Sequence, residues 1–143
     1  MNRPITVPLC QDLMYTETLM PNILGHTTQG EAHLAIQSFQ PLVQVGCSAQ
    51  LKPFLCSVYT PKCVFGKAQR PCRTVCEQAR SGCESLLIKY GFQWPDHLKC
   101  DTFTTESSKT FRYCFFPTLC LSFGSLVISQ KLRLQLTPIL TFF

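Results

Sequence analysis

The sequence has few charged residues and lacks the local motifs that mark common catalytic and zinc sites. Asp, Glu, Lys and Arg together make up 15% of its 143 residues. It has no Gly-x-Ser-x-Gly turn, with which α/β-hydrolases present their nucleophile. It also has no C-x2-C pair of the kind that sequence-local zinc sites usually contain. We therefore expect no enzymatic activity, no metal and no cofactor.

The start of the chain lacks a secretory signal. Met1 is followed by polar residues and a proline, and no run of about 7 to 15 apolar residues precedes Cys10. Neither Asn2 nor Asn22 has a Ser or Thr two positions later, so neither belongs to an N-glycosylation sequon. This pattern indicates a truncated or non-standard start.

Basic residues give a net charge of +5, but they are scattered along the chain. A nucleic-acid groove would interleave them with aromatic side chains, and this is not the pattern around Lys52, Lys62 or Arg70. We expect no nucleic-acid partner. Anionic cell-surface glycans are better candidates for weak binding.

What the sequence does have in excess is cysteine, with ten in all. An even number spread along a short chain is typical of a disulfide framework, which persists only in oxidising compartments. No single cysteine stands out as a nucleophile with a histidine base beside it. The cysteines are therefore predicted to be structural staples of a secreted or cell-surface protein, although no signal peptide is present.

Apolar residues recur at helical spacing after Thr27. The first predicted helix begins where Thr28 can form a capping box with Glu31. Pro41 lacks the N–H that an intact helix uses, so we expect a kink or break near Phe39. Gly46 should end this helix.

Two segments flank the first helix. Residues 4–20 partly alternate between apolar and polar positions and predict an extended strand, with no helix expected before Thr27. A short second helix is predicted to start at Ser48, to be disturbed by Pro53 and to stop at Pro61.

A basic, glycine-containing loop is predicted over residues 64–70 and a third helix after it. Pro71 is expected in the first turn of that helix, and Gly91 should end it. Its buried face is predicted to comprise Cys72, Val75, Cys76, Ala79, Cys83, Leu86, Leu87 and Tyr90.

The end of the chain changes character after a polar Thr- and Ser-rich stretch. Its longest uncharged run, Cys114 to Gln130, spans 17 residues and contains Pro117 and Gly124, so it lies at the lower limit for a membrane span. We predict one domain over residues 1–114 and a poorly ordered apolar tail over residues 115–143.

Between about residues 4 and 114 the sequence resembles the Frizzled-type cysteine-rich domain, and that of the Frizzled receptors in particular. The similarity is carried by PLC at 8–10, MPNILGH at 20–26, FQPLV at 39–43, CS at 47–48, FLCSVY at 54–59, PKC at 61–63, PCRTVCE at 71–77, GCE at 82–84, YGFQWP at 90–95 and CD at 100–101. It implies a mainly α, small, disulfide-rich helical fold with a minor pair of β-strands.

The resemblance also implies a pattern of disulfides. By cysteine order the pairs are Cys10 with Cys56, Cys47 with Cys83, Cys72 with Cys114, and Cys76 with Cys100. The family partner of Cys63 would stand at position 2, which is Asn2 here. Cys63 therefore either pairs with Cys120, which has no family counterpart, or stays a free or intermolecular thiol.

The resemblance implies that the domain binds acylated Wnt proteins and holds their palmitoleoyl chain in an apolar groove. The residues expected to line that groove are Phe39, Pro41, Leu42, Leu87, Tyr90 and Phe92. A free unsaturated fatty acid and a second copy of the chain are further candidate partners. The same side chains would be ordinary core residues if judged by their helical spacing alone.

Alternatives of another class stay open. The chain could be a receptor domain or a soluble modulator in Wnt signalling, or the non-catalytic module of a larger secreted protease or matrix protein. A third alternative is a chain that misfolds for want of one disulfide.

Overall fold

The computed structural model describes residues 2–103, which form four α-helices and two small antiparallel sheets. The helices are α1 (Gln29–Ile36), α2 (Gln40–Val45), α3 (Leu51–Tyr59) and α4 (Arg73–Lys89), and the strands are β1 (Asn2–Pro4), β2 (Glu17–Leu19), β3 (Cys63–Val64) and β4 (Lys67–Ala68). The predicted helical, disulfide-rich fold is confirmed. The predicted tail over residues 115–143, including most of the apolar run from Cys114, lies outside the described residues.

The first predicted helix is broken in two at its proline. Thr28 caps α1 in a capping box with Glu31, as predicted. A 3₁₀ turn over Gln37–Phe39 then separates α1 from α2, and Pro41 stands at the start of α2, where no intrahelical N–H is needed. Gly46 ends α2 in the left-handed conformation with φ 73°. The predicted break and end of this helix are thus confirmed.

Helix α3 is the most deeply buried element. Six of its residues are buried: Leu51, Phe54, Leu55, Cys56, Val58 and Tyr59. The predicted disturbance at Pro53 is wrong, because this proline lies in the first turn of the helix, where its missing N–H has no partner to lose. The helix begins at Leu51, three residues later than predicted, and ends at Tyr59, just before Pro61, as predicted.

Helix α4 is buried over only part of the predicted face. Cys76, Ala79 and Cys83 are buried, whereas Leu86 and Leu87 are half-buried and Tyr90 is 67% exposed. Cys72 is the N-cap, so Pro71 precedes the helix instead of lying in its first turn. The apolar face of α4 therefore continues beyond the core and into a surface groove.

The strands differ from the prediction. Residues 2–4 pair with residues 17–19 as one hairpin, and a 3₁₀ turn at Pro8–Cys10 lies between them, contrary to the expectation of no helical turn there. The predicted loop over residues 64–70 contains a second hairpin, closed by Phe65 and Gly66 with φ 52° and 75°. Strands of two residues are too short to show the alternation by which a strand is recognised.

Aromatic side chains hold the end of the described chain against α3. Phe54 stacks on Trp94 with ring centroids 6.2 Å apart and meets Phe103 edge-on at 5.5 Å. The Trp94 indole N–H donates to the Leu98 carbonyl at 2.8 Å, which satisfies its one polar group inside the core. The segment after α4 is thereby fixed in place.

Three disulfides join described residues, and all three are as predicted. They are Cys10–Cys56, Cys47–Cys83 and Cys76–Cys100. Cys72 is also disulfide-bonded, and its predicted partner Cys114 lies outside the described residues. Cys63 carries a free thiol. Of the alternatives predicted for this residue, the structure therefore shows the free thiol and not the bridge to Cys120.

Peptide mapping without reduction tests this pairing. After alkylation of the folded protein, we expect the Cys63 peptide to carry the alkyl group, because its thiol has no disulfide partner. The Cys47 and Cys83 peptides should stay linked until reduction. A linked Cys63 peptide in monomeric protein would contradict the assignment.

Gly82 offers a test of the packing around the Cys47–Cys83 disulfide. A Cβ at this position would lie 2.5 Å from the Cys47 carbonyl oxygen and 2.8 Å from the Ser48 Cβ. We expect Gly82→Ala to lower the free energy of unfolding by about 1 to 3 kcal/mol, because the backbone must shift. Urea titration followed by circular dichroism measures the change.

Gly30→Ala is the matched control, since Gly30 also lies in a helix but a Cβ there would meet nothing closer than 3.7 Å. This variant should be neutral or more stable by up to about 1 kcal/mol. Equal stabilities of the two alanine variants would show that α4 does not approach Cys47 as closely as described.

Candidate functional site

A large apolar groove opens between the α1–α2 break and the C-terminal half of α4. Its volume is about 940 Å³, at the upper end of the range of small-molecule sites. The lining residues are Leu24, His26, Ala35, Ser38, Phe39, Pro41, Leu42, Val45, Tyr59, Leu86, Leu87, Tyr90, Phe92, Gln93, Pro95 and His97.

All six residues predicted to bind lipid line this one groove, although they come from segments more than 40 positions apart. Phe39 is buried in its base, while Leu42 and Leu87 are half-buried. Tyr90 and Phe92 stand at its rim, with exposed fractions of 67% and 64%. Pro41 lines the groove from the first turn of α2. The structure brings the six together, and their role as lipid contacts stays a prediction.

The end of α4 places the aromatic rim. Gly91 adopts φ +81°, and its N–H donates to the Ile88 carbonyl at 3.0 Å. The Phe92 N–H donates back to the Leu87 carbonyl at 2.8 Å, which completes a Schellman motif. Phe92 is thereby turned back over the last turn of the helix instead of continuing away from it.

The polar groups of the groove were missed by sequence reasoning. Tyr59, 1% exposed, contributes its hydroxyl group from the end of α3, and this hydroxyl lies 3.2 Å from Nε2 of His97. The His26 ring stacks on Tyr59 with centroids 5.8 Å apart, and its Nδ1 lies 2.9 Å from the Asn22 amide nitrogen. His26 lies in a loop and His97 in a three-residue 3₁₀ turn, and neither segment is long enough for a periodicity to place its side chain.

Burial sets the protonation of this polar cluster. It raises the pKa of Tyr59 to about 12, so its hydroxyl stays protonated at neutral pH. Burial is also the main reason why the pKa of His97 lies below its usual value, and the nearby His26 lowers it further while Asp96 opposes the shift. His97 is therefore mostly neutral at pH 7.4.

Of the described residues that line the groove, none is Asp, Glu, Lys or Arg. A ligand inside it would meet hydrocarbon, aromatic rings and a few neutral polar groups. Within residues 2–103 no cluster of three His, Cys, Asp or Glu side chains could hold a metal ion. None of the helices in this part of the chain combines the length and apolarity needed to cross a bilayer.

The sequence pattern of the family described as "Fz domain" matches residues 2–107, which is most of the chain. The chain belongs to the Fz domain family. It is 54% identical over 102 residues to Frizzled-1 of Xenopus laevis, an alignment that covers 71% of this chain. The resemblance on which the fold and disulfides were predicted is thus confirmed.

Solved structures of this type of domain are also similar to it. A Smoothened cysteine-rich domain has 33% identity and a TM-score of 0.52, covering 64% of this chain and 80% of that one. The Xenopus Smoothened domain in complex with cyclopamine has 29% identity and a TM-score of 0.56, covering 72% and 94%. The Fz domain chain spans only 18% of the length of Frizzled-1.

Proposed function

We propose that this Fz domain is a non-enzymatic, extracellular Wnt-binding module that holds the palmitoleoyl chain of acylated Wnt proteins in the groove. The observation that carries the proposal is the groove itself, an apolar cavity of about 940 Å³ whose lining includes all six predicted lipid contacts. The 54% identity to Frizzled-1 supports a role in Wnt signalling, as a receptor domain or a soluble modulator.

The energetics favour an acyl chain as the occupant. Each buried CH₂ contributes about 0.8 kcal/mol, so covering eight of them gives roughly 6 kcal/mol, which is on the order of 10⁴-fold in affinity. Because none of the described lining residues is Lys, Arg, Asp or Glu, an acyl chain that binds there does not have to remove water from such a charged side chain. A free unsaturated fatty acid would fit by the same chemistry.

The exposed rim supports the same proposal. Val45, Tyr90 and Phe92 are each more than 60% exposed, and they border one groove instead of being scattered. Contiguous apolar surface of this kind marks an interaction site. The rim would cover the part of the chain that leaves the groove.

An extracellular or cell-surface location is supported by the disulfides. Three bridges join described residues and Cys72 forms a further one, which requires an oxidising compartment. The rival role, a non-catalytic module of a secreted protease or matrix protein, shares this requirement. The identity to Frizzled-1 favours the signalling role over it.

A rigid polycyclic occupant is the second candidate. It is favoured by the similarity to the Smoothened domain solved in complex with cyclopamine. Cyclopamine is therefore a useful competitor, because it would displace an acyl chain only if both occupy the same groove.

Leu87→Glu tests the groove. The side chain lines the groove and is only half-buried, so the domain should still fold. A carboxylate there would have to be desolvated by the acyl chain, and we expect affinity for acylated Wnt to fall at least about 100-fold by biolayer interferometry. Phe39→Glu is a poorer test, because Phe39 is 7% exposed and belongs to the core.

Ile88→Glu is the matched control. Ile88 is the next residue of α4, is 60% exposed and does not line the groove, so Wnt binding should be retained. Circular dichroism should give native spectra for both variants. Unchanged binding by the folded Leu87→Glu protein would overturn the groove assignment.

A further inference from the structure

Two of the three histidines of the chain lie in the groove, on either side of one buried tyrosine. Nε2 of His97 is 3.2 Å from the Tyr59 hydroxyl group, and the His26 ring stacks on the Tyr59 ring. Both histidines line the cavity in which the acyl chain is proposed to lie. Among the described residues that line the groove, they are the only histidines, and histidine is the side-chain type that gains or loses a proton most readily near physiological pH.

The charged and titratable groups around His97 come from three directions. Tyr59 faces it from α3, His26 faces it from the loop before α1, and Asp96 stands beside it in its own 3₁₀ turn. Tyr90 lines the same groove from the end of α4. Asp96 is the one carboxylate in this set, and it lies outside the lining.

The surroundings of His26 are also mostly neutral. Its Nδ1 lies 2.9 Å from the Asn22 side-chain nitrogen, whose amide also donates to the Tyr59 carbonyl at 3.0 Å. The pKa of the Glu31 carboxylate on α1 lies below its usual value mainly because this carboxylate accepts a hydrogen bond from the Thr27 backbone, and the nearby His26 lowers it further. The Glu31 carboxylate already accepts hydrogen bonds from the backbone N–H groups of Thr27 and Thr28, as part of the cap of α1.

We propose that His26 and His97 make the ligand preference of the groove depend on pH. At neutral pH the groove prefers a neutral, esterified acyl chain, and on acidification the preference shifts to the carboxylate of a free fatty acid. The inference rests on the proposed function, because it concerns the same groove. Beyond the proposed function, it specifies the charge of the ligand that the groove prefers and the change in pH that would release a neutral acyl chain.

The loss of affinity for the neutral acyl chain at low pH follows from desolvation of the histidines. An acyl chain in the groove removes water from both imidazoles, and this disfavours their charged forms. Binding of a neutral chain therefore lowers the pKa of His97 below its value in the free domain. By linkage, affinity for the neutral chain falls as the pH drops through the pKa of the free domain.

The gain of affinity for the free fatty acid at low pH follows from charge pairing. At pH 7.4 a carboxylate in the groove meets no Lys or Arg among the lining residues that the structure describes, and His97 is mostly neutral. Protonated imidazoles would supply charge-assisted hydrogen bonds to it. Affinity for the free acid therefore rises as the histidines charge, so the two ligands respond to pH with opposite sign.

A matched pair of ligands tests this, namely one fatty acid and its methyl ester with the same chain. Displacement of a fluorescent acyl probe from the domain at pH 7.4 and 5.5 gives the ratio of the two affinities. We expect this ratio to shift toward the acid by about tenfold, since one pKa unit corresponds to a factor of ten. His33→Gln should show the same shift, because His33 bonds to Gln37 on α1 and does not line the groove.

The double variant His26→Gln, His97→Gln should lose the part of the shift that the histidines cause and keep only the part that comes from protonation of the acid itself, whatever its absolute affinities. Nuclear magnetic resonance titration of the imidazoles gives an independent readout, in which the ester lowers the pKa of His97 and the acid raises it. A pH-independent ratio in the wild type, or an unchanged shift in the double variant, would overturn the inference while leaving the proposed function standing. Failure of the folded domain to bind either ligand at pH 7.4 would overturn both.

Discussion

The Cys47–Cys83 disulfide is the interaction on which the groove depends most. Cys47 follows α2, which forms one wall, and Cys83 lies on α4 at the point where the core ends and the other wall begins. Its contribution is about 3 to 4 kcal/mol for a loop of this length. Gly82 lets the two walls meet at this point, since any side chain there would strike the Cys47 backbone. The walls are thus joined at one end and left apart beyond it.

A groove of this kind must stay open although its surfaces are apolar. Two helix ends keep its walls apart. The Pro41 break turns α2 away from α1, and the Schellman motif at Gly91 turns Phe92 back over the end of α4. Tyr59 closes the base as part of the buried α3, so the lipid would rest on the same residues that form the core. Stability and binding therefore share one apolar surface, and a substitution such as Phe39→Glu cannot separate them.

The parts of the fold that could be predicted are those set by local chemistry. The capping box at Thr28, the break at Pro41 and the stop at Gly91 each depend on a few neighbouring residues. Pro53 was misjudged because the effect of a proline depends on its position relative to a helix start that spacing places only approximately. The six apolar groove residues came from family resemblance, since periodicity alone cannot tell a groove from a core. His26 lies in a loop and His97 in a short 3₁₀ turn, and both contact Tyr59, a proximity that no local pattern records.

The proposed function requires an acyl chain to occupy the groove between α2 and α4. Intermolecular nuclear Overhauser effects between a C16:1 fatty acid and methyl-labelled domain test it directly, because methyl groups line both walls. We expect contacts from the chain to Leu42, Val45 and Leu87, and none to Leu34, which is 71% exposed but outside the groove. Contacts confined to Leu34 or to other surface methyls, with none to Leu42 or Leu87, would contradict it.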